Sequence, residues 1–353
     1  MNAGSAAEET AAPLPQPRQS TEWSHFVVAL GLLLAMSHCD VLVIGGGLRG
    51  MHATLRARNV RPKAAVRCLE ARAAPGDDVC SQLSDGHICE LGPFAFRREE
   101  VERWLEPLTY TPRVVPASDR ASTGWLFDGA ARSPIDAASA PYSFLSGCAE
   151  IVQAYRCELG ADLSLQSPVT AIAPLPQGGF CVELGVATPS TLTTAELVLA
   201  IAPVEAAKLL ASFEPELPQV AARATESERA FVYFGGPAAR APELSGYGVL
   251  PHPDLESCLA ELIFCAEVFD HCAPPGRFLI RAEVAASSLT EDDRVLAATA
   301  EAEVRRWTET RAPFDFAKVH RFRTIEPCGD VTECRTRVDE ISRRAHGMSA
   351  SSD

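Results

Sequence analysis

The stretch that most constrains this chain is Cys39-Asp40-Val41-Leu42-Val43-Ile44-Gly45-Gly46-Gly47-Leu48-Arg49-Gly50. A short apolar run ends in three consecutive glycines, and a helix-competent segment, about Arg49 to Arg58, follows. A second apolar run, Ala64-Ala65-Val66-Arg67-Cys68-Leu69, ends at Glu70. Strand, tight turn, helix, strand and acid, in that order, make up a dinucleotide-binding βαβ unit. Each glycine has its own physical job. Gly45 permits the turn, Gly47 has no Cβ to keep a diphosphate away from the backbone, and Gly50 lets the helix pack closely on the strand. The helix start offers free N–H groups and a positive dipole end to phosphates. Glu70 lies twenty residues beyond Gly50, where a carboxylate accepts hydrogen bonds from ribose hydroxyls. An acid there favours a free 2′-hydroxyl, as in FAD or NAD, over NADP. The competing reading is a glycine-rich turn with a chance carboxylate, and it leaves the flanking strands and the spacing unexplained.

Composition sets limits around this unit. A chain of 353 residues has room for two domains or one large two-lobed one. The formal net charge is −14. That much negative charge disfavours nucleic acid as a partner, because phosphate is repelled, and it disfavours electrostatic docking on anionic lipid. Twelve cysteines are scattered without a CxxC pair, so neither a metal site nor a disulfide framework is expected. Reduced cysteines packed as small apolar groups are.

Residues 1–25 lack periodicity and read as a disordered tail. The apolar segment at 26–37 is too short to span a bilayer comfortably. It has the length of a signal h-region, but Glu8, Glu9 and Glu22 precede it against a lone Arg18, and signal peptides carry positive charge there. The segment therefore reads as a packed extra helix or as residues translated from an upstream start.

After Glu70 comes Ala71-Arg72, a loop containing Gly76, and then Asp85-Gly86-His87-Ile88-Cys89-Glu90-Leu91-Gly92-Pro93-Phe94-Ala95. Together with the glycine fingerprint, these motifs resemble the flavin-containing amine oxidase superfamily, with the nearest likeness to protoporphyrinogen oxidases of the oxygen-dependent type. The resemblance implies FAD as cofactor. It implies that the backbone of Gly45, Gly46, Gly47, Leu48, Arg49 and Gly50 meets the diphosphate and that Glu70, Ala71 and Arg72 meet the ribose side. Gly92, Pro93, Phe94 and Ala95 would lie against the flavin, and Val169, on a strand from 169, would contact the adenine side. Three departures accompany the likeness. Asp77-Asp78 stands where the family has a second glycine and often an arginine. The long helical insert expected between about Pro134 and Ser143 is missing. The family's third flavin motif would follow Cys334 to Ile341, near where this sequence stops.

The fold class implied is α/β. An FAD/NAD(P)-binding Rossmann-like domain of the GR2 type (38–96, 148–230 and about 328–346) interleaves with an α+β substrate domain on an antiparallel or mixed sheet (97–147 and 231–327). The expected activity is FAD-dependent oxidation of a small molecule, a reduced tetrapyrrole or an amine, with oxygen as acceptor. No catalytic side chain is assigned. His320 is a candidate base and Arg97 or Arg98 a candidate partner for a propionate, although a lone strand histidine and surface arginines are more often structural. Two other readings stay open: a degenerate non-catalytic relative with weak or no FAD binding, and an NAD-dependent dehydrogenase. The second leaves Glu-Leu-Gly-Pro unexplained. A cytoplasmic location is expected, with peripheral membrane contact a further outcome the resemblance allows. The oligomeric state is open.

Overall fold

The computed structural model describes residues 37–76, 79–136, 141–185, 190–216, 226–241, 243–289 and 292–325. The apolar segment at 26–36, Asp77, Asp78 and the stretch from Cys334 to Ile341 lie outside the described residues.

The fold begins with β1 (Ser37–Ile44), whose last residues are buried in succession. That pattern marks a strand covered on both faces, as in the middle of a parallel sheet. Strand β1 pairs in parallel with β2 (Val66–Leu69) on one side and with β12 (Ser190–Leu199) on the other, Val43 standing opposite Cys68 and Val198. Strand β9 (Leu163–Ser164) extends the parallel edge beyond β2. Strands β10 (Val169–Pro174) and β11 (Phe180–Leu184) add an antiparallel edge beyond β12. This six-stranded sheet runs β10-β11-β12-β1-β2-β9.

Helix α1 (Leu48–Val60) connects β1 to β2. It buries Leu48, Met51 and Leu55 against Ile151, Val152 and Tyr155 of α3 (Ala149–Leu159). Helix α2 (Arg98–Leu105) joins this cluster through Val101 and Trp104, so it is amphipathic rather than simply exposed. The Tyr155 hydroxyl donates to the Trp104 carbonyl at 2.6 Å, tying α3 to α2. Helix α4 (Pro203–Leu210) opens with its proline at the first position, where the missing N–H costs nothing. It packs Ala206, Ala207 and Leu210 over Ile172, Val182 and Leu197.

The second sheet has seven strands in the order β17-β13-β16-β15-β14-β6-β7. Its centre is β16 (Arg277–Val284), between β13 (Glu226–Pro237) and β15 (Leu259–Phe264), antiparallel to both. Strand β17 (Phe316–Ile325) closes one edge, and the hairpin β6 (Thr123–Phe127) and β7 (Arg132–Asp136) the other, with β14 (Gly248–Pro251) parallel to β6. Period-two alternation divides β13. Val232 and Phe234 face Leu296, Ala300, Val304 and Trp307 of a long helix, α6 (Asp293–Thr308). Phe231 and Tyr233 face the opposite way, into a cluster with Phe94, Ile263 and Phe269. The sequence pattern predicts helix from Leu289. The helix begins four residues later because Asp292 accepts hydrogen bonds from the N–H groups of Arg294 and Val295 and so caps it.

The two sheets meet through the ribbon β3 (Ser81–Ser84) and β4 (His87–Glu90). The Tyr233 hydroxyl donates to the Glu90 carbonyl at 2.5 Å, and Lys318 Nζ donates to Ser84 Oγ at 2.8 Å. No helix among the described residues is long and apolar enough to cross a membrane.

Candidate functional site

The glycine turn follows the sterics of its sequence. Gly45 has φ +109°, a conformation open to glycine but strained for other residues, and its N–H donates to the Leu69 carbonyl at 2.8 Å. A Cβ on Gly50 would stand 1.8 Å from the Gly45 carbonyl oxygen. The close packing expected of that position is therefore present. Gly47 precedes α1 in an extended conformation. No side chain caps the helix and no acid sits in its first turn, so its leading N–H groups and dipole end are left for an anion.

Glu70 sits directly beside this turn. It is 6% exposed. Its Oε2 accepts the Gly46 N–H at 2.7 Å and its Oε1 accepts the Arg72 N–H at 2.8 Å. A Cβ on Gly46 would press to 2.6 Å from the Glu70 Cβ, so the carboxylate reaches the turn only because position 46 is glycine. A carboxylate has about four acceptor sites; the two N–H bonds, with Arg72 Nε 3.5 Å from Oε1, leave part of that capacity free. The loop after Glu70 folds back on the turn as well. Gly76 donates its N–H to the Gly46 carbonyl at 2.9 Å and bridges Gly47.

These residues surround a crevice of about 350 Å³, within the usual range for small-molecule sites. Gly45, Gly47, Glu70, Ala71, Arg72 and Val169 all line it, with Ala200, Ile201 and Leu209 on the other side. Lys208 and Glu205 also line it and form an ion pair at 2.7 Å. Gly46 and Gly50 support the turn from beneath, Leu48 points into the core, and Arg49 is exposed.

Gly92, Pro93, Phe94 and Ala95 do not line this crevice. The structure places them against the inner face of the second sheet. Phe94 packs 5.5 Å from the Phe269 ring, and the Gly92 carbonyl accepts from Arg281 Nη1 at 2.9 Å. Just before them, Glu90 is 2% exposed. Its Oε1 accepts the Cys148 N–H at 2.8 Å and its Oε2 accepts from Ser81 Oγ at 2.6 Å, while Ser81 Oγ also accepts the Ala149 N–H. Burial pushes its carboxyl up to about 7, although both bonds pull the other way. Glu90 and Ser81 thus hold the start of α3 from a distant ribbon.

Of the residues considered for catalysis, His320 is stacked with Phe322 and Phe231 on the inner face, and burial lowers its basicity. The Arg98 guanidinium lies over the Tyr142 ring, hydrogen-bonds that residue's hydroxyl and reaches Glu102 at the surface. Arg97 stands at the start of α2, where its backbone N–H donates to Glu100 Oε2 at 2.9 Å. Sequence reasoning missed Arg281, which lies buried at the centre of the second sheet. Its strand gave no signal, because Arg277, Arg281 and Glu283 share one parity and read as a solvent face.

A Rossmann-like unit with an antiparallel edge, joined to a second mixed sheet, is a fold shared with solved amine oxidases. No family model matches the chain, and no curated protein matches it. Among solved structures, a "Putative protoporphyrinogen oxidase" from Exiguobacterium sp. 255-15 is similar over 86% of this chain and 91% of its own, with TM-score 0.71 and 14% identity. Reduced UDP-galactopyranose mutase is similar over 86% and 87%, with TM-score 0.64 and 11% identity. Cyclohexylamine oxidase from Brevibacterium oxydans IH-35A is similar over 80% and 84%, with TM-score 0.60 and 12% identity.

Proposed function

We propose that this chain is an FAD-dependent oxidoreductase, with the dinucleotide end of the cofactor in the crevice beside Gly45–Gly50. The observation that carries this reading is the Glu70 carboxylate, held 2.7 Å from the Gly46 N–H at the wall of an open crevice with acceptor capacity to spare. The residues fit the group. The glycine cradle admits a diphosphate, the uncapped start of α1 supplies N–H donors, and Glu70 takes ribose hydroxyls while Val169 borders the adenine side. FAD, when bound, accepts a hydride and passes electrons to oxygen. The chain's own part is to bind and orient it. On this reading Gly92–Ala95 serve the flavin end, away from the crevice, and the chain divides into the cofactor and substrate domains set out above. The likeness to the Exiguobacterium protein supports a reduced tetrapyrrole as substrate, and the named cyclohexylamine oxidase supports an amine.

A second reading, a flavoprotein-like chain that has lost cofactor binding, rests on one observation. Gly76 is bridged to Gly47, and Asp77-Asp78 follow directly in sequence. Negative charge so close in sequence to the turn opposes a diphosphate.

The test is the visible spectrum of the purified protein, followed by anaerobic mixing with protoporphyrinogen or with cyclohexylamine. The expected result is a bound flavin that bleaches with one of these reductants and recovers in air. A colourless protein that takes up no added FAD would overturn the reading in favour of the second.

A further inference from the structure

Arg281 occupies the middle of the central strand of the second sheet, opposite Tyr233 on β13 and Ile263 on β15. Its neighbours on that face form an apolar cluster, and the residue is only 6% exposed. The guanidinium lies 4.3 Å from the Phe231 ring centroid and 5.3 Å from that of Phe94. Its one side-chain hydrogen bond runs from Nη1 to the Gly92 carbonyl. Nε and Nη2 have no acceptor among the described residues, yet neither is sealed off as a buried orphan.

The charge also lacks a close ion-pair partner. Arg229, on the neighbouring strand β13, has a carboxylate close by, Glu283 at 2.8 Å. Arg281 has none among the described residues. Glu90, Glu261 and Glu283 act on it electrostatically, and acids at this range keep its basicity raised despite burial; all three stand beyond ion-pair distance, and burial biases the Glu90 and Glu261 carboxyls toward their neutral forms. Removing a cation from water without a counter-ion is costly. Two aromatic faces and one carbonyl offset only part of that cost. A charged residue kept in an apolar core is a local conflict, and such conflicts mark functional positions.

We infer that Arg281 is the anchor for an anionic group, a carboxylate, on the small molecule that this chain binds at the inner face of the second sheet, beside Gly92–Ala95. The planar fork presents Nε and Nη2 side by side, the geometry that a carboxylate accepts bidentately. The flanking phenylalanines and the half-buried Tyr247 and Leu91 suit an apolar or aromatic body carrying that carboxylate. The same charge repels an ammonium. The inference rests on the oxidoreductase reading for what becomes of the ligand, and it deepens that reading by choosing a carboxylate-bearing substrate over a simple amine.

The experiment is a heat-stability titration with benzoate, and with benzylamine as its cationic counterpart, on the wild-type chain and on Arg281→Met. It is run with and without added FAD. Benzoate is expected to raise the melting temperature of the wild type, with at least tenfold more needed for the same rise in R281M. Benzylamine is expected to have no effect on either. Without ligand, R281M should melt no lower than the wild type, whereas a purely structural arginine would leave a weakened protein. If R281M does not fold, R281Q, which keeps a donor for Gly92 and loses the charge, decides the question. A benzoate response equal in the wild type and the variant, or absent from both, overturns the inference. Flavin absorbance of the same samples reports separately on the cofactor, so a benzoate response in samples that take up no added FAD refutes the cofactor reading alone.

Discussion

Replacing Glu90 with glutamine isolates the electrostatics of the ribbon that joins the two sheets. In the folded chain the Glu90 carboxyl stays protonated up to about pH 7, because burial outweighs the bonds from Ser81 and Cys148. In the unfolded chain it ionises at its ordinary, lower value. Between those two values the folded state holds one more proton than the unfolded state, so stability falls as pH rises through the interval. At about 1.4 kcal/mol per pH unit, the loss amounts to about 3 kcal/mol once the pH exceeds 7. Below the unfolded value both states are protonated and the penalty vanishes. Glutamine copies the protonated acid: its carbonyl oxygen accepts from the Cys148 N–H and its amide faces Ser81 Oγ, which has a lone pair to spare. Urea unfolding at pH 5 and pH 8 measures the effect. The wild type should lose about 2–3 kcal/mol more than Glu90→Gln between the two conditions, and the variant should be the more stable at pH 8. Equal pH slopes, or a variant less stable at pH 8, would refute the argument.

Other substitutions probe the scaffold. Gly50→Ala puts a methyl 1.8 Å from the Gly45 carbonyl oxygen, and a thermal melt should show a loss of about 3 kcal/mol or more, since both partners are backbone-constrained. Asp292→Ala removes the acceptor for Arg294 and Val295 N–H at the start of α6. It should cost about 1 kcal/mol in chemical denaturation. Trp307→Ala empties a fully buried site between α6 and the second sheet and frees Glu303 from its bond to the indole N–H. It should cost about 3–5 kcal/mol, enough to remove cooperative unfolding from a marginal chain.

The βαβ unit was legible because each glycine answers a local steric demand. Gly45 needs a positive φ, Gly50 meets a backbone oxygen, and Glu70 reaches the turn over a glycine. The strands of the second sheet were legible from alternation, but their order was not, since β14 beside β6 depends on pairing between residues more than a hundred positions apart. Arg281 and Glu90 were missed for the same reason. In Arg277-Phe278-Leu279-Ile280-Arg281-Ala282-Glu283 the charged positions share one parity and read as a solvent face. Only the return of Phe94 and Phe269 from distant segments buries that face. Glu90 owes its raised carboxyl to burial by chain segments that include Cys148, 58 residues away, and the bonds from Ser81 and Cys148 only moderate it. Windowed patterns carry no information about such contacts.

The account stands most directly on a titration of the wild-type chain with FAD, following the melting temperature. A ligand held by the native crevice alone must stabilise it, by about 2.7 kcal/mol at a hundredfold excess over its dissociation constant. The account predicts a rise of several degrees that saturates with FAD, whereas a melting temperature unmoved at any FAD concentration would contradict it.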